Sequence, residues 1–193
     1  MKTKILSLLV IVSSVLTMIS CDQETLNVIL DPINITHRTQ DYEFEINVED
    51  IIGSKKSETP IYETTVSINL DSILNTQDGM GAVENAMIKE IVLGINTPED
   101  LNFDFAKSAR VTISMTQAIE NDVVVAQIND VPVGLTVLTL DVVEENKDQI
   151  SEILQTGNFW IRVYADYDGI PQTEATLIEA YFNALIEMTL NVS

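Results

Sequence analysis

Residues Thr176–Val192, TLIEAYFNALIEMTLNV, decide the fold class because their side chains alternate over the whole stretch. One row is apolar or small, as expected when successive side chains of a β-strand point to opposite faces of a sheet. Fully extended, the stretch would span about 56 Å, far more than an ordinary strand. We therefore expect a bend or bulge near Asn183, or a strand that passes between two sheets.

Shorter alternating stretches precede it. The predicted strands are Tyr42–Val48, Tyr62–Leu70, Ile88–Ile95, Ala109–Met115, Val123–Ile128, Leu135–Val143 and Asn158–Ala165. Residues Glu145–Gln155 carry Ile150, Ile153 and Leu154 at helical spacing. These patterns predict an all-β fold, mainly an antiparallel β-sandwich of about eight strands with one or two short helices.

The composition excludes several classes of protein. The chain has 193 residues, with 10 Lys+Arg against 30 Asp+Glu and a net charge of −20. Nucleic acid is not an expected partner, because phosphate binding needs clustered Lys and Arg. The single Cys excludes a disulfide framework and a Cys-based zinc site. The acidity suits solubility and Ca²⁺ binding equally well, so charge alone does not choose between them.

The first residues have the layout of a secretory signal. Lys2 and Lys4 precede the uncharged run Ile5–Ile19, and small Ser20 precedes Cys21. The apolar run is shorter than the roughly 20 residues of a membrane span. We expect residues 1–20 to be a signal peptide, 21–41 a tether and 42–193 the β-sandwich domain.

Residues Met18-Ile19-Ser20-Cys21 resemble the lipobox of bacterial lipoproteins, and Asp22-Gln23-Glu24 resemble the surface-export signal of Bacteroidota lipoproteins. The resemblance implies that Cys21 carries the lipid. It further implies an outer-membrane protein, bound to the membrane through this anchor and facing the cell exterior. Loss of residues 1–20 removes Lys2 and Lys4 and no acid, which leaves a net charge of −22.

No pattern indicates catalysis, a cofactor or a metal. His37 is the only His and has no second ligand near it in sequence. With Cys21 lipidated no thiol remains, and neither a Gly-x-Ser-x-Gly elbow nor a phosphate-binding glycine loop occurs. We expect no enzyme. Carboxylate pairs among the 30 acids leave glycoside cleavage as the one catalytic alternative.

Two short motifs allow two interpretations each. Asp166-Tyr167-Asp168-Gly169 resembles the start of a calcium loop, but an Asp-Gly hairpin turn explains it better. Asp71-Ser72-Ile73 resembles an O-glycosylation acceptor of Bacteroidota, which would modify Ser72. Asp71 could instead cap a helical turn.

Four residues form the candidate ligand-binding site. Trp160, Arg162 and Tyr164 share one strand face, and Tyr181 lies on the corresponding face of the last strand. Aromatic rings beside a guanidinium can stack on sugars or hold a protein partner. A helix or loop covering this face is the alternative.

These observations predict a non-catalytic cell-envelope lipoprotein, an accessory module that binds a glycan or an envelope protein. The alternative is a structural subunit, because the layout resembles that of Bacteroidota fimbrial proteins. In that interpretation Leu26–Leu30 is a removable strand and cleavage follows Arg38. The long Thr176–Val192 strand of a neighbour would then fill the opened groove.

The anchor gives the first testable prediction. Changing Cys21→Ser removes the sulfur that would carry the lipid, so the precursor should stay uncleaved or the protein should move to the soluble fraction. Membrane fractionation with mass spectrometry measures both outcomes. A Cys21→Ser protein that matures and partitions like the wild type contradicts lipidation.

Overall fold

The computed structural model describes residues 32–53, 59–69 and 83–190. Cys21, the segments 22–24 and 26–30, and Ser72 lie outside these ranges. Residues 32–193 form one compact unit, and the description below concerns this unit alone.

The described residues contain nine strands and two α-helices. The strands are β1 (Ile33–Arg38), β2 (Tyr42–Asn47), β3 (Tyr62–Ser67), β4 (Val83–Thr97), β5 (Ala106–Ser114), β6 (Val123–Ile128), β7 (Val137–Val142), β8 (Asn158–Tyr167) and β9 (Leu177–Leu190). Helix α1 spans Val48–Gly53 and α2 spans Lys147–Gln155, and 3₁₀ turns lie at Phe103–Phe105 and Ile119–Asn121. All strand pairs are antiparallel, which confirms the predicted all-β, sandwich-like fold.

The strands form one curled sheet in the order β1-β9-β4-β7-β6-β5-β8-β3, with β2 also paired to β9. We call β1, β2, β9, β4 and β7 the first layer and β6, β5, β8 and β3 the second layer. The layers are joined between β6 and β7 by the pairs Ala126–Val142 and Gln127–Asp141, and next to them the Val143 N–H donates to the Val125 carbonyl at 2.9 Å. The apolar residues of both layers pack into one hydrophobic core.

Strand β9 contributes the longest row of buried side chains to this core. Its even-numbered residues are at most 3% exposed: Ile178, Ala180, Phe182, Ala184, Ile186, Met188 and Leu190. On one side β9 pairs with β4 over almost its full length, and on the other with β2 and then β1. The strand is continuous through Asn183, so the expected division of β9 there was wrong.

The irregularity lies in the neighbours of β9 instead. Arg38 pairs with Leu185 and Tyr42 with Phe182, so the three residues 39–41 face only two residues of β9. Strand β4 carries three extra residues relative to β9: Lys89, between its pairs with Ile186 and Leu185, and Glu84 and Asn96 nearer its two ends. Such bulges bend a strand and increase its twist. The two bulges at residues 39–41 and Lys89 lie at neighbouring positions of β9, opposite residues 183–186, where they are expected to bend β4 and the β1–β2 segment.

Each bulge also changes which residues face the core. In the β1–β2 segment the inward row is odd-numbered at Ile33 and Ile35 and even-numbered at Phe44 and Ile46. The change of phase hides β1 from a search for simple alternation. In the structure the sheet starts at Ile33, which lies inside the segment 21–41 that the sequence assigned to the tether. The same effect of Lys89 made the predicted β4 too short.

The residues after β8 also differ from expectation. Asp166–Gly169 do not form a hairpin turn, because β8 pairs with β5 and β3 whereas β9 belongs to the first layer. Instead the backbone N–H groups of Asp168 and Gly169 donate to the Phe105 carbonyl, at 3.3 and 3.2 Å. The chain crosses from one layer to the other at this point.

Polar side chains hold the two bulges together on the outer face of the first layer. Arg38 donates to Asn183 Oδ1 at 2.8 Å and forms a 2.7 Å ion pair with Glu90. Asn183 Nδ2 in turn donates to Asp41 Oδ1 at 2.7 Å. We call these four residues the bulge network. It connects β1, the 39–41 connector, β9 and β4 at one level.

Aromatic rings close the open edge between the layers. Tyr42 stacks on Phe182 with centroids 5.0 Å apart, and Phe44 stacks on Tyr62 at 4.7 Å. Tyr62 also lies 5.9 Å from Phe182, so β3 of the second layer contacts β2 and β9 of the first. Burial, with the neighbouring Tyr62, raises the pKa of Tyr42. Edge strands β2 and β3 are thus joined by side chains rather than by backbone hydrogen bonds.

The bulge of residues 39–41 gives the second prediction. Deleting Gln40 removes the extra residue, so Ile33 and Ile35 would turn outward as long as β2 keeps its register. We expect β1 to lose amide-exchange protection while β2 keeps it, and the free energy of unfolding to fall by about 1–3 kcal/mol.

The control is Gln40→Ala, which keeps the chain length at an exposed position and should change stability by less than about 0.5 kcal/mol. A deletion variant with protected β1 amides would show that the phase of the strand does not depend on this residue.

Candidate ligand-binding site

Strand β8 places three of the four candidate residues on the outer face of the second layer. In the register, Trp160 lies between Thr65 and Ser114 of the flanking strands. Arg162 lies between Glu63 and Thr112, and Tyr164 lies beside Arg110. The predicted sharing of one strand face by Trp160, Arg162 and Tyr164 follows from the alternation of β8.

Arg162 is fully buried on this face. Its Nε donates to Glu63 Oε2 at 3.1 Å, Nη1 donates to Asp122, and Nη2 donates to the Gln117 carbonyl at 2.5 Å. Gln117 and Asp122 belong to residues 115–122, which connect β5 to β6 and which we call the cap loop. Every nitrogen of the guanidinium is therefore bound within the protein, and Arg162 anchors the cap loop rather than presenting a charge to a ligand.

Asp122 is the centre of this cluster. Its Oδ2 accepts hydrogen bonds from Thr112 Oγ1 at 2.7 Å and from the Tyr164 hydroxyl at 2.9 Å, while Oδ1 accepts from Arg162. Burial, and secondly the hydrogen bond to Asp122, raises the pKa of Tyr164 to about 12. Tyr164 therefore remains a protonated donor at neutral pH. The Arg110 guanidinium covers its ring, 4.5 Å from the centroid.

Trp160 is the candidate residue of this face that keeps a partly exposed ring. The Arg162 guanidinium lies 5.7 Å from its ring centroid and fixes one side of the indole. Exposed Thr65, Ser67 and Asn158 surround it in the register, and Ser67 Oγ donates to Asn158 Oδ1 at 2.7 Å. We call these four residues the Trp160 platform. It combines one aromatic ring with hydroxyl and amide groups and contains no charged side chain.

Tyr181 lies elsewhere. It belongs to β9 in the first layer and pairs with Gly94 of β4, where its ring occupies the space that a Cβ on residue 94 would need. Alternation correctly placed Tyr181 outside the buried row of β9. It could not show that β8 and β9 lie in different layers, so Tyr181 does not belong to the Trp160 platform.

Among the described residues, the core cavity that borders Tyr181 is too small for an organic ligand. This cavity, lined by Phe44, Phe105 and Tyr167, among others, has a volume of about 20 Å³. This volume suffices for a single water molecule. Among the described residues, Tyr167 is buried with no hydrogen-bond partner for its hydroxyl, and burial raises its pKa. Any binding at the candidate residues must therefore occur on the surface.

Metal-ligand geometry is absent from residues 32–53, 59–69 and 83–190, where no three His, Cys, Asp or Glu side chains converge. Asp166 accepts a 3.1 Å hydrogen bond from Ser108, and Asp168 is exposed in the turn that follows β8. His37 is partly buried in β1, opposite Ile186 of β9. Within the same ranges, neither helix has the length and apolarity needed to cross a bilayer.

No family model matches this sequence, and no curated protein matches it either. Among solved structures, the infectious bursal disease virus VP2 subviral particle is similar at 11% identity and a TM-score of 0.33. That match covers 88% of this chain but only 36% of the VP2 chain. The Kashmir bee virus empty particle at acidic pH follows at 7% identity and a TM-score of 0.33, covering 86% and 94% of the two chains. Scores this low do not establish a common fold and carry no weight for function.

The buried guanidinium gives the third prediction. Asp122→Asn keeps the shape of the side chain but removes the carboxylate charge that opposes the buried Arg162 guanidinium, so the free energy of unfolding should fall by about 3–5 kcal/mol. Glu63→Gln is the matched control, because the Glu63 side chain is 40% exposed and that of Asp122 only 9%. Its loss should cost less than about 1 kcal/mol. Urea unfolding measures both values. Equal losses would contradict Asp122 as the principal partner of Arg162.

Proposed function

We propose that this protein is a non-catalytic cell-envelope lipoprotein, anchored through Cys21 in the outer membrane and facing the exterior, whose β-sandwich binds a glycan at the Trp160 platform. The observation that carries the binding proposal is the position of Trp160. Its ring is partly exposed, is held against the buried Arg162, and is surrounded by Thr65, Ser67 and Asn158. The anchor rests on the resemblance of residues 18–24 to lipoprotein signals.

A sugar fits this surface for chemical reasons. The faces of pyranose rings carry C–H groups that pack on an indole, while their edge hydroxyls exchange hydrogen bonds with Ser, Thr and Asn side chains. Trp160 needs little reorganisation on binding, because Arg162 is fixed by Glu63, Asp122 and Gln117. The Arg162 charge is already neutralised within the protein. The platform therefore favours uncharged glycans, and the net charge of the chain repels uronic acids and sulfated sugars.

The fourth prediction tests this function directly. Trp160 is the only Trp in the chain, so its fluorescence reports on its own environment. Neutral oligosaccharides from the envelope should change this fluorescence on binding to the mature chain. Trp160→Ala should weaken binding at least about tenfold by calorimetry, as expected for an aromatic anchor. Tyr181→Ala in the first layer is the matched control and should bind as the wild type does.

Two results would overturn the glycan proposal. One is binding of a neutral glycan that Trp160→Ala leaves unchanged. The other is the absence of any fluorescence change across a library of neutral envelope glycans. A hydrolytic activity that disappears when a carboxylate pair is changed would instead contradict the non-catalytic assignment.

A fimbrial-type structural subunit is the second candidate, and one observation favours it. Arg38 ends the edge strand β1, which pairs with β9 beside the fully buried Ile186, Met188 and Leu190. Cleavage after Arg38 and loss of β1 would expose these residues together with the unpaired backbone of β9. A strand from a neighbouring subunit could then pair in the same place. The bulge network opposes the cut, because it holds the Arg38 side chain to Asn183 and Glu90.

The fifth prediction concerns this bond. The structural candidate predicts that an Arg-specific protease cuts after Arg38 and that the cut protein forms a ladder of SDS-resistant oligomers. Arg38→Lys retains a cation for Glu90 but removes the protease site, so it should give neither the cut nor the ladder. A protein that is cut cleanly after Arg38 and stays monomeric contradicts the structural candidate and leaves the glycan proposal intact.

A further inference from the structure

Among the described residues, three of the eight exposed large apolar side chains lie in two loops at one end of the sandwich. Val133 is 84% exposed, Ile170 60% and Leu135 40%. Val133 and Leu135 lie in the connection from β6 to β7, and Ile170 lies in the connection from β8 to β9. We call these three residues the apolar tip. Large exposed apolar groups are common singly, but a group of them at one place marks an interaction site.

Hydrogen bonds bring the two loops together on the turn Phe103–Phe105. The backbone N–H of Gly134 donates to Asp104 Oδ1 at 2.6 Å, and the N–H of Phe103 donates to the Leu135 carbonyl at 2.8 Å. On the other side of the turn, the Gly169 N–H donates to the Phe105 carbonyl at 3.2 Å. Gly134 has φ of +82°, which fixes the turn that presents Val133. The tip is thus built on the folded core rather than on a free loop.

The tip lies at the end of the sheet opposite to the entry of the chain. Ile33, the first residue of β1, pairs with Leu190 at the far end of β9. The other end of β9 begins at Leu177, next to the loop that carries Ile170. At about 3.3 Å per residue, the length of β9 separates the two ends by about 40 Å. The apolar tip and the point where the preceding chain joins the sheet are therefore far apart.

Acidic residues lie in the same turn and loops as the tip. Asp104, Asp130 and Asp168 are exposed and lie in the turn and the two loops that form it. Lys107 is an exposed cation that a hydrogen bond connects to these loops: its backbone carbonyl accepts from the Val131 N–H at 3.1 Å. These loops therefore carry a net negative charge next to their exposed apolar side chains. This arrangement is complementary to a surface with apolar residues at its centre and Lys or Arg around them.

We propose that the apolar tip is a docking site for a protein partner whose contact surface is apolar at the centre and basic at the rim. A second copy of this chain would bring the same three aspartates and the same net charge, so self-association is disfavoured. An anionic membrane surface is repelled for the same reason. The site is separate from the Trp160 platform and does not depend on glycan binding.

The test uses the mature chain and a synthetic amphipathic peptide of leucine and lysine. Calorimetry should show binding of this peptide, and a peptide of equal charge with serine in place of leucine should bind at least about tenfold more weakly. The double variant Val133→Ser/Ile170→Ser should lose about tenfold or more in affinity for the leucine peptide, since both groups lie at the centre of the contact. The control Met115→Ser/Ile119→Ser removes two exposed apolar side chains from the cap loop and should leave the affinity unchanged.

Other results exclude the proposed partner. Equal binding by the tip variant and the wild type, or no binding of the leucine peptide, overturns the proposal. Tip-dependent binding to vesicles of phosphatidylcholine and phosphatidylglycerol, without binding to the peptide, would assign the tip to a membrane. Concentration-dependent dimerisation in sedimentation that disappears in the tip variant would assign it to a second copy.

Discussion

The constraint on which the rest of the structure depends is the register of β9. Its inward row is almost completely inaccessible to solvent, and strands on both sides must match that row residue by residue. The segment 39–41 carries one extra residue opposite Ala184 and Asn183, and β4 carries Lys89 between its pairs with Ile186 and Leu185, so both neighbours of β9 change phase along the same short stretch. The bulge network places Arg38, Asn183 and Glu90 at this level, where a shifted strand would lose all of their contacts at once. Packing and polar contacts thus specify the same register.

The second layer is fixed by a different means. Its outer face buries an Arg instead of apolar side chains, and the cost of burying that charge is met by Asp122, Glu63 and carbonyls of the cap loop. A cluster of this kind specifies one geometry, because Arg162 and Asp122 keep all of their hydrogen-bond partners only in this arrangement. The rigid support of Trp160 is a result of this stabilisation. The Arg162 guanidinium therefore stabilises the second layer and also supports the proposed binding surface.

The sequence predicted the fold class well and the site only in part. Strand β6 spans Val123–Ile128 as expected, because a short, mostly apolar run between turn residues indicates a buried strand even without alternation. Bulges at residues 39–41 and Lys89 shift the phase and so concealed β1 and the start of β4. The partners of Arg162 are 99 and 40 residues away, and no local pattern reveals them. An Arg within the apolar run FWIRVYA is nevertheless a signal that a buried acid must lie nearby.

The antiparallel pairing of β1 with β9 has a mechanical consequence. Strand β1 enters at the Leu190 end and runs along β9 to Arg38, so tension from the preceding chain acts parallel to the strand axis. If the opposite end of the sandwich is held, all hydrogen bonds of the pair β1–β9 are loaded in shear and must fail together, whereas a perpendicular pull would open them one after another. The Arg38–Glu90 ion pair and the Arg38–Asn183 hydrogen bond lie at the end of this loaded segment. Tension applied in this direction would therefore leave β1 paired with β9 until the whole ladder fails.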